Sequence, residues 1–332
     1  MLEHGGNLRD AAARFGRPLE QWLDLSTGIN PQPYPAPPLA FNAWHRLPEN
    51  DPALAEAAQA YYGAPRMLPA AGTQAAIQAL PRLLPRAEVV VSAPSYAEHA
   101  YCWTQAGHHV REVAYDRLER NIDEADVVVV CNPNNPTGAT IAPEILLGWA
   151  ERLARRNGWL VVDEAFGDTT PHTSVARWTE RPGLIVFRSV GKFFGLAGLR
   201  LGFVAAEARL LSDLAEYLGP WAVSGPAQDI GCTALRDTQW QQSMREQLLH
   251  AGERLHGLLA QHRIEASGTA LFQWWPEPEP EAFKEHMAEH GIWVRLFASK
   301  AHGIRLGLPG NEAGWARLRQ ALAAWSQKRM QA

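Results

Sequence analysis

The pattern of apolar and polar positions divides the chain into alternating short and long segments. Short, nearly continuous runs of Val, Ile and Leu predict strands that are covered on both faces, as in a mostly parallel sheet. Between these runs lie longer stretches with helical periodicity. The predicted strands cover residues 89–92, 109–114, 127–131, 160–163, 184–188 and 201–205.

Capping residues mark the ends of several helical stretches. Asp51 and Pro52 begin one helix, and Gly63 ends it, because Asp caps a helix, Pro suits its first turn and Gly suits its end. Pro143 begins another helix, and residues 73–84 form a third. The alternation of strands and helices through the last predicted strand indicates an α/β fold.

The remainder of the chain predicts a smaller α+β domain. A long helical region at 207–262 precedes its segments, which are strands at 265–275, 292–296 and 304–308 and helices at 280–290 and from 311 onward. We therefore expect a large domain at residues 40–225. Residues 1–39 and 226–332 would form an N-terminal arm and a small domain.

Composition narrows the class of protein. The 332 residues carry a net charge of −4, which argues against a nucleic-acid binder. No apolar run approaches the ~20 residues of a membrane span, and the polar start of the chain does not predict a secretory signal. The three widely spaced cysteines predict reduced thiols in a cytoplasmic protein.

Lys192 lies in the most apolar and glycine-rich stretch of the chain, SVGKFFGLAGLRLGF. The sequence contains only four lysines against 27 arginines. An ammonium group in apolar surroundings is costly unless it is neutralised or paired. A desolvated lysine is also a good amine nucleophile for a Schiff base. The alternative is a surface lysine whose stem covers apolar groups.

Three further signals lie at strand ends or at a helix start, where ligands bind in open α/β sheets. Asp163 ends an apolar strand in WLVVDEAFGD, although Asp163 or Glu164 could simply cap the next loop. The octet CNPNNPTG at 131–138 predicts a rigid loop that can direct an Asn side chain into a cleft. The small residues of AAGTQAA, at 70–76, open a helix whose N–H groups would suit a phosphate.

Together, these motifs resemble those of the fold-type I pyridoxal-phosphate enzymes, the aspartate-aminotransferase-like superfamily. The resemblance covers nearly the whole chain. It implies a mostly parallel, seven-stranded sheet sandwiched by helices, with a smaller α+β domain. It also implies pyridoxal 5'-phosphate as cofactor, bound by Gly72, Thr73, Gln74, Tyr96, Asn135, Asp163, Ser189, Lys192 and Arg200.

The resemblance also assigns roles to these residues. Lys192 would carry the cofactor covalently, Asp163 would pair with its pyridinium nitrogen, and Tyr96 would stack on its ring. These three residues are the expected catalytic set. Ser189 and Arg200, together with the helix start at 72–74, would bind the cofactor phosphate, and the Asn of NPTG would contact its ring oxygen.

The expected substrate residues lie nearer the two ends of the chain. Arg305 in GIRLGLP resembles the family arginine that pairs with the substrate carboxylate. Arg295 would suit a second anion such as a phosphate, or it is a surface charge on an edge strand. The segments HGGN and LDLSTGINP resemble the opening of the threonine-phosphate decarboxylases of cobalamin biosynthesis. That resemblance adds His4, Gly5, Gly6 and Asn30 to the substrate site.

The implied reaction is decarboxylation of O-phospho-L-threonine to (R)-1-amino-2-propanol O-2-phosphate. Two alternatives stay open at this point. One is an aminotransferase of the histidinol-phosphate type, and the other is a non-catalytic binding protein that kept the fold. A homodimer is the family expectation. Leu47, however, stands where relatives usually have a tyrosine that reaches the neighbouring subunit's cofactor phosphate.

The segment HMAEH, at 286–290, has a spacing that can bind zinc. Two histidines at i and i+4 share one helix face, but no third ligand is evident in the sequence. We interpret the segment as a solvated helix face and predict no metal site.

Overall fold

The computed structural model describes residues 5–49, 51–298 and 301–331. His4, one of the expected substrate residues, lies outside these ranges. Two compact units divide the chain. The terminal unit comprises Met1–Gln32, Pro136–Ala139 and Glu246–Ala332, and the central unit comprises Pro33–Asn135 and Thr140–Arg245.

The helices and strands are numbered in chain order. The α-helices are α1 (Leu8–Phe15), α2 (Asn42–His45), α3 (Pro52–Tyr62), α4 (Thr73–Ala79), α5 (Ala97–Gln105), α6 (Pro143–Ala154), α7 (Ala208–Leu218), α8 (Gly225–Arg236), α9 (Thr238–Gln261), α10 (Pro280–Glu289) and α11 (Glu312–Gln331). The strands are β1 (Leu23–Asp24), β2 (Leu68–Ala70), β3 (Glu88–Ala93), β4 (His109–Ala114), β5 (Val127–Cys131), β6 (Trp159–Asp163), β7 (Leu184–Ser189), β8 (Gly202–Ala205), β9 (Ser267–Thr269), β10 (Phe272–Trp275), β11 (Ile292–Trp293), β12 (Arg295–Phe297) and β13 (Gly303–Gly307).

The central unit is built on a seven-stranded sheet with the order β2-β8-β7-β6-β5-β3-β4. The strands from β7 to β4 are mutually parallel, whereas β8 is antiparallel to both of its neighbours. Every residue of β5 and β7 is buried, as expected for apolar runs covered on both faces. The prediction of a mostly parallel seven-stranded sheet is confirmed.

Strand register brings the ends of three neighbouring strands to one edge of this sheet. Cys131 is paired with Asp163, and Asp163 is paired with Phe187. The loops that follow β5, β6 and β7 therefore leave the sheet side by side. They carry the NPNNPTG segment, the DEAF segment and Lys192.

The helix predicted at 73–84 has two parts. It is α-helical over Thr73–Ala79 and continues as a 3-10 helix over Leu80–Leu83. Pro81 explains the change, because it lacks the N–H that an α-helical hydrogen bond would need. The predicted helix beginning at Asp51 is confirmed, since Asp51 Oδ1 accepts the N–H of Ala53 at 2.9 Å.

The terminal unit contains an antiparallel sheet of order β12-β13-β10-β9 and the parallel pair β1-β11. The prediction of one strand over 265–275 is wrong, because these residues form a hairpin. Thr269 pairs with Phe272, and the N–H of Leu271 donates to Thr269 Oγ1. The prediction of one strand over 292–296 is also wrong: the segment is divided between two sheets.

Two observations concern the zinc-like spacing at 286–290 and the question of membrane-spanning helices. On α10, His286 Nε2 lies 2.9 Å from the carbonyl oxygen of Ala321, and His290 Nδ1 lies 2.9 Å from the carbonyl of His286. Both imidazoles thus contact backbone carbonyls, and His286 is buried rather than solvated. Across the described ranges, the helices are too short or too polar to cross a membrane.

Candidate active site

Lys192 lies in the loop after β7, within the central unit. It is half-buried, while the preceding Gly191 and the following Phe193 and Phe194 are buried. Its Nζ atom is 5.5 Å from the ring centroid of Phe166, the last residue of DEAF. The amine is therefore held at the sheet edge against an aromatic face, among apolar side chains.

Asp163 forms a buried ion pair with His99 of α5. The two side chains meet at 2.9 Å between Nε2 and Oδ2, and each is almost completely buried. Burial lowers the pKa of His99, but its contacts with Asp163 and Cys131 outweigh burial and raise this pKa to about 10. The imidazole and the carboxylate are thereby held together at the end of β6, away from solvent.

The other oxygen of Asp163 has a structural role. Oδ1 accepts the backbone N–H of Ala165 at 3.0 Å, so the capping role considered from the sequence applies to one oxygen only. Glu164 points elsewhere, since it pairs with buried Arg188 at 2.6 Å and accepts the N–H of Val175 at 2.8 Å. The residues on either side of Asp163 are thereby fixed.

Gly72 and Arg200 are in close contact. A Cβ atom on Gly72 would lie 2.5 Å from Arg200 Nη2, and Gly72 has a φ of 73°, which L side chains rarely adopt. Arg200 itself has a φ of 56°, in the left-handed region that non-glycine residues seldom adopt. Such strain at a charged, exposed side chain indicates a functional position. Nearby, a Cβ on Gly202 would lie 2.6 Å from the amide nitrogen of Thr73.

Ser189 completes this part of the central unit. It is the last residue of β7 and pairs with Gly202 of β8. It is buried, and its hydroxyl accepts the N–H of Gly191 at 3.2 Å. Because Gly202 also lies against the amide of Thr73, this pairing places the Ser189 hydroxyl on the strand next to the one that contacts the start of α4. A guanidinium, a hydroxyl and backbone amides are the groups that bind phosphate.

Tyr96 is connected to Gln74 and Glu98. Its hydroxyl donates to Gln74 Oε1 at 3.1 Å, and Gln74 Nε2 donates to Glu98 Oε2 at 2.9 Å. Burial, with the nearby charges of Glu98 and Asp163, raises the pKa of Tyr96 well above its ordinary value. The phenol therefore stays protonated, and the side chain of Gln74 contacts Tyr96.

The loop after β5 is anchored by two asparagines on either side of a proline. Asn132 both accepts from and donates to the backbone of Ile141, at 2.8 and 3.1 Å. Asn134 donates to the carbonyl of Pro94 at 2.9 Å. Asn135, the predicted cofactor ligand, follows them and is only half-buried.

Arg295 and Arg305 lie directly opposite each other on β12 and β13 of the terminal unit. Burial, followed by the charge of Arg295, lowers the pKa of Arg305 to about 9, and Asp24 opposes this shift. Like charges at facing positions of an antiparallel pair are destabilising. An anion bound by both guanidinium groups would relieve this repulsion.

The N-terminal candidates also lie in the terminal unit. The N–H of Gly6 donates to Ser26 Oγ at 2.8 Å, and Arg305 Nη2 donates to the carbonyl of Ser26 at 2.9 Å. Asn30 is buried, and its Oδ1 accepts the N–H of Gln32 at 2.9 Å. The structure thus connects the Gly-Gly segment and Arg305 through Ser26.

Sequence reasoning missed three of these residues. His99 is three positions after Tyr96, the residue that precedes α5, and the two rings are in edge contact at 5.9 Å; this spacing was a usable signal. Cys131 was noted only as part of a loop motif, although its strand register places it beside Asp163. Ser26 gave no signal, because Gly6 and Arg305, which it connects, are far away in the chain.

Comparisons with known proteins identify the family to which the chain belongs. Residues 20–322 match the family described as aminotransferase class I and II. The fold is similar to that of histidinol-phosphate aminotransferase from Sinorhizobium meliloti in complex with pyridoxal-5'-phosphate. That match has a TM-score of 0.81 at 20% identity and covers 98% of this chain and 96% of the other. The chain belongs to the aminotransferase class I and II family.

Within that family, two relatives match almost the whole chain. The threonine-phosphate decarboxylase of Pseudomonas aeruginosa is 54% identical over 98% of this chain and 99% of its own length. The threonine-phosphate decarboxylase of Sinorhizobium sp is 45% identical over 97% and 98%. An L-threonine-O-3-phosphate decarboxylase structure from Porphyromonas gingivalis has a TM-score of 0.73 at 20% identity, covering 91% of this chain and 99% of the other.

Proposed function

We infer that this protein is a threonine-phosphate decarboxylase, which converts O-phospho-L-threonine into (R)-1-amino-2-propanol O-2-phosphate and carbon dioxide. The observation that carries this conclusion is 54% identity to an enzyme of that name over almost the full length of both chains. The paired Arg295 and Arg305 support it, because this substrate carries two anionic groups, a carboxylate and a phosphate.

The central unit has a donor set that fits pyridoxal 5'-phosphate. The space beside Gly72 that a Cβ would fill, the adjacent Arg200 and the nearby Ser189 suit the phosphate. The carboxylate of Asp163, which is buried and paired with His99, suits a protonated pyridine nitrogen. Tyr96 would stack on the ring, Asn135 would bind its ring oxygen, and Gly72, Thr73 and Gln74 would line the phosphate end. The bound cofactor supplies an electron sink for the bond broken at the substrate α-carbon.

The chain's own residues perform the remaining tasks. Lys192 holds the cofactor through its amine, and the same amine can return a proton to the α-carbon after carbon dioxide leaves. Asp163 stabilises positive charge at the far end of the cofactor. Apolar side chains around Lys192 exclude water from the reacting atoms.

The substrate would be held by the terminal unit. Arg305, with its planar fork of donors, binds the carboxylate, and Asn30 lies beside it. Arg295 and the Gly5–Gly6 segment, in which Ser26 Oγ already holds the N–H of Gly6, would line the phosphate site together with His4. Clamping the carboxylate decides which bond of the α-carbon breaks, because small displacements of a reacting group change rates by about 10²-fold.

A histidinol-phosphate type of aminotransferase is the second candidate. A histidinol-phosphate aminotransferase from Pectobacterium atrosepticum is 31% identical over 68% of this chain. The two reactions give different products. A decarboxylase releases carbon dioxide from O-phospho-L-threonine, and an aminotransferase forms glutamate from histidinol phosphate and 2-oxoglutarate.

The test is to incubate the purified protein with pyridoxal 5'-phosphate and each substrate, and to measure carbon dioxide and glutamate. We expect carbon dioxide only, and replacement of Lys192 by Ala should abolish both its release and the absorption band of the bound cofactor. Lys284→Ala is the matched control, since Lys284 lies on α10 with its Nζ 4.6 Å from the ring of Trp293. Glutamate without carbon dioxide would refute the proposal.

We further propose that the enzyme acts as a cytoplasmic homodimer in cobalamin biosynthesis. An exposed apolar patch supports the dimer: Phe41, Trp44 and Leu47 are 75%, 68% and 66% exposed, and Trp221 is 57% exposed. Ala43 lies against Gly225, which places these two segments together. Apolar patches of this kind are typical of protein interfaces.

A further inference from the structure

Ser26 uses each of its polar groups in a hydrogen bond within the terminal unit. Its backbone N–H and its hydroxyl both donate to Oδ1 of Asp24, at 2.9 and 2.6 Å. The same hydroxyl accepts the N–H of Gly6 at 2.8 Å, and the carbonyl oxygen accepts Nη2 of Arg305 at 2.9 Å. Ser26 is only 1% exposed. These hydrogen bonds leave Ser26 little freedom to move.

Contact with Ser26 also positions the N-terminal segment that contains Gly5 and Gly6. A Cβ on Gly5 would lie 2.4 Å from the carbonyl oxygen of Ser26, so the backbone of Gly5 lies directly against this peptide. The hydroxyl then holds the next amide, that of Gly6. One residue therefore fixes the position of the Gly-Gly backbone relative to the guanidinium of Arg305.

Those two elements are the phosphate-binding and carboxylate-binding parts of the proposed substrate site. The distance between the anionic groups of an amino-acid phosphate ester depends on the number of bonds between them. O-Phospho-L-threonine carries its phosphate on the β-carbon oxygen, whereas O-phospho-L-homoserine has one additional methylene. A rigid connection between the two sites favours one of these lengths.

We propose that Ser26 is a positioning residue that sets the spacing between the carboxylate site at Arg305 and the phosphate site at Gly5 and Gly6. It thereby selects amino acids phosphorylated on the β-carbon oxygen. This proposal rests on the proposed function, since it takes O-phospho-L-threonine as the substrate. Asp24 takes part indirectly, because it holds both the amide and the hydroxyl of Ser26.

The Ser26→Ala variant tests the phosphate site independently of the carboxylate site. It removes the hydroxyl that holds Gly6, but it keeps the main-chain carbonyl that holds Arg305. We expect KM for O-phospho-L-threonine to rise about tenfold, from the loss of one or two hydrogen bonds, with little change in kcat. The inhibition constant of L-threonine, which has the carboxylate and no phosphate, should stay unchanged. The preference for O-phospho-L-threonine over O-phospho-L-homoserine should fall.

Two variants serve as controls. Ser26→Thr keeps the hydroxyl and should recover the low KM if its methyl group is accommodated. Thr27→Val removes a hydroxyl from the next residue and should leave KM and the substrate preference as they are in the wild type. Urea unfolding of each variant reports whether the terminal unit has lost stability.

The measurements can contradict the proposal in two ways. If Ser26→Ala raises KM for O-phospho-L-threonine and the inhibition constant of L-threonine equally, Ser26 has only a structural role. If neither constant changes, Ser26 does not position the phosphate site. Should the wild type release no carbon dioxide, the proposed function fails instead. Calorimetric binding of the same two ligands then decides the question, since Ser26→Ala must weaken binding of the phosphorylated one alone.

Discussion

Replacing Gly72 with alanine would add one methyl group where the chain passes Arg200. Gly72 has φ 73° and ψ 160°, a region that is essentially restricted to glycine. The new Cβ would lie 2.5 Å from Arg200 Nη2 and 3.0 Å from Arg200 Cζ. The guanidinium group, which is exposed at the sheet edge, would have to move.

The substitution therefore has two separate costs. The backbone strain lowers the free energy of unfolding by about 1–3 kcal/mol. If Arg200 binds the cofactor phosphate as proposed, its displacement removes a charge-assisted hydrogen bond worth about 1.5–3 kcal/mol. That second cost corresponds to a roughly 10- to 150-fold increase in the dissociation constant of pyridoxal 5'-phosphate.

Gly219→Ala is a matched control within the same unit. Gly219 has φ 75° and ψ 179°, and nothing lies within 4 Å of the Cβ that would be added. It should lose comparable stability and keep the cofactor affinity of the wild type. Spectroscopic titration with pyridoxal 5'-phosphate gives the dissociation constants, and urea unfolding gives the stabilities. If Gly72→Ala binds the cofactor as tightly as Gly219→Ala does, Arg200 is not a phosphate ligand and the reasoning fails.

Two other predictions concern the ion pair between His99 and Asp163 and the exposed apolar patch. The pKa of His99 is raised from 6.5 to about 10 in the folded protein, so its contribution to stability is complete below about pH 6.5 and is lost as the pH rises through 10. The urea midpoint of the wild type should thus decrease between pH 7 and 10 more than that of His99→Gln, and parallel pH curves would exclude the ionised pair. Trp44→Asp, at a position 68% exposed, should convert a dimer to a monomer in light scattering. Met330→Asp, at an equally apolar exposed position, should not, and a dimer that survives Trp44→Asp would place the interface elsewhere.

The sheet of the central unit was predictable because its strands are local patterns. The runs at β4 and β5 coincide with the predicted ranges, and those at β6 and β7 differ by one residue. An apolar run of this length, ending in a charged or polar residue, needs no distant partner to be recognised. The strands of the terminal unit were harder to predict from the sequence. The hairpin of β9 and β10 depends on a two-residue turn that the apolar pattern alone does not reveal.

The sequence by itself determined the α/β class, six of the seven strands of the central sheet (β2, Leu68–Ala70, was not predicted) and the presence of Lys192 and Asp163 at strand ends, because periodicity and loop chemistry are properties of neighbouring residues. Only the tertiary structure decided which side chains hold these groups in place. His99 meets Asp163 across 64 positions, and Ser26 meets Arg305 across 279. Such contacts arise from strand register and helix packing, which bring together residues whose partners cannot be identified from the sequence around them.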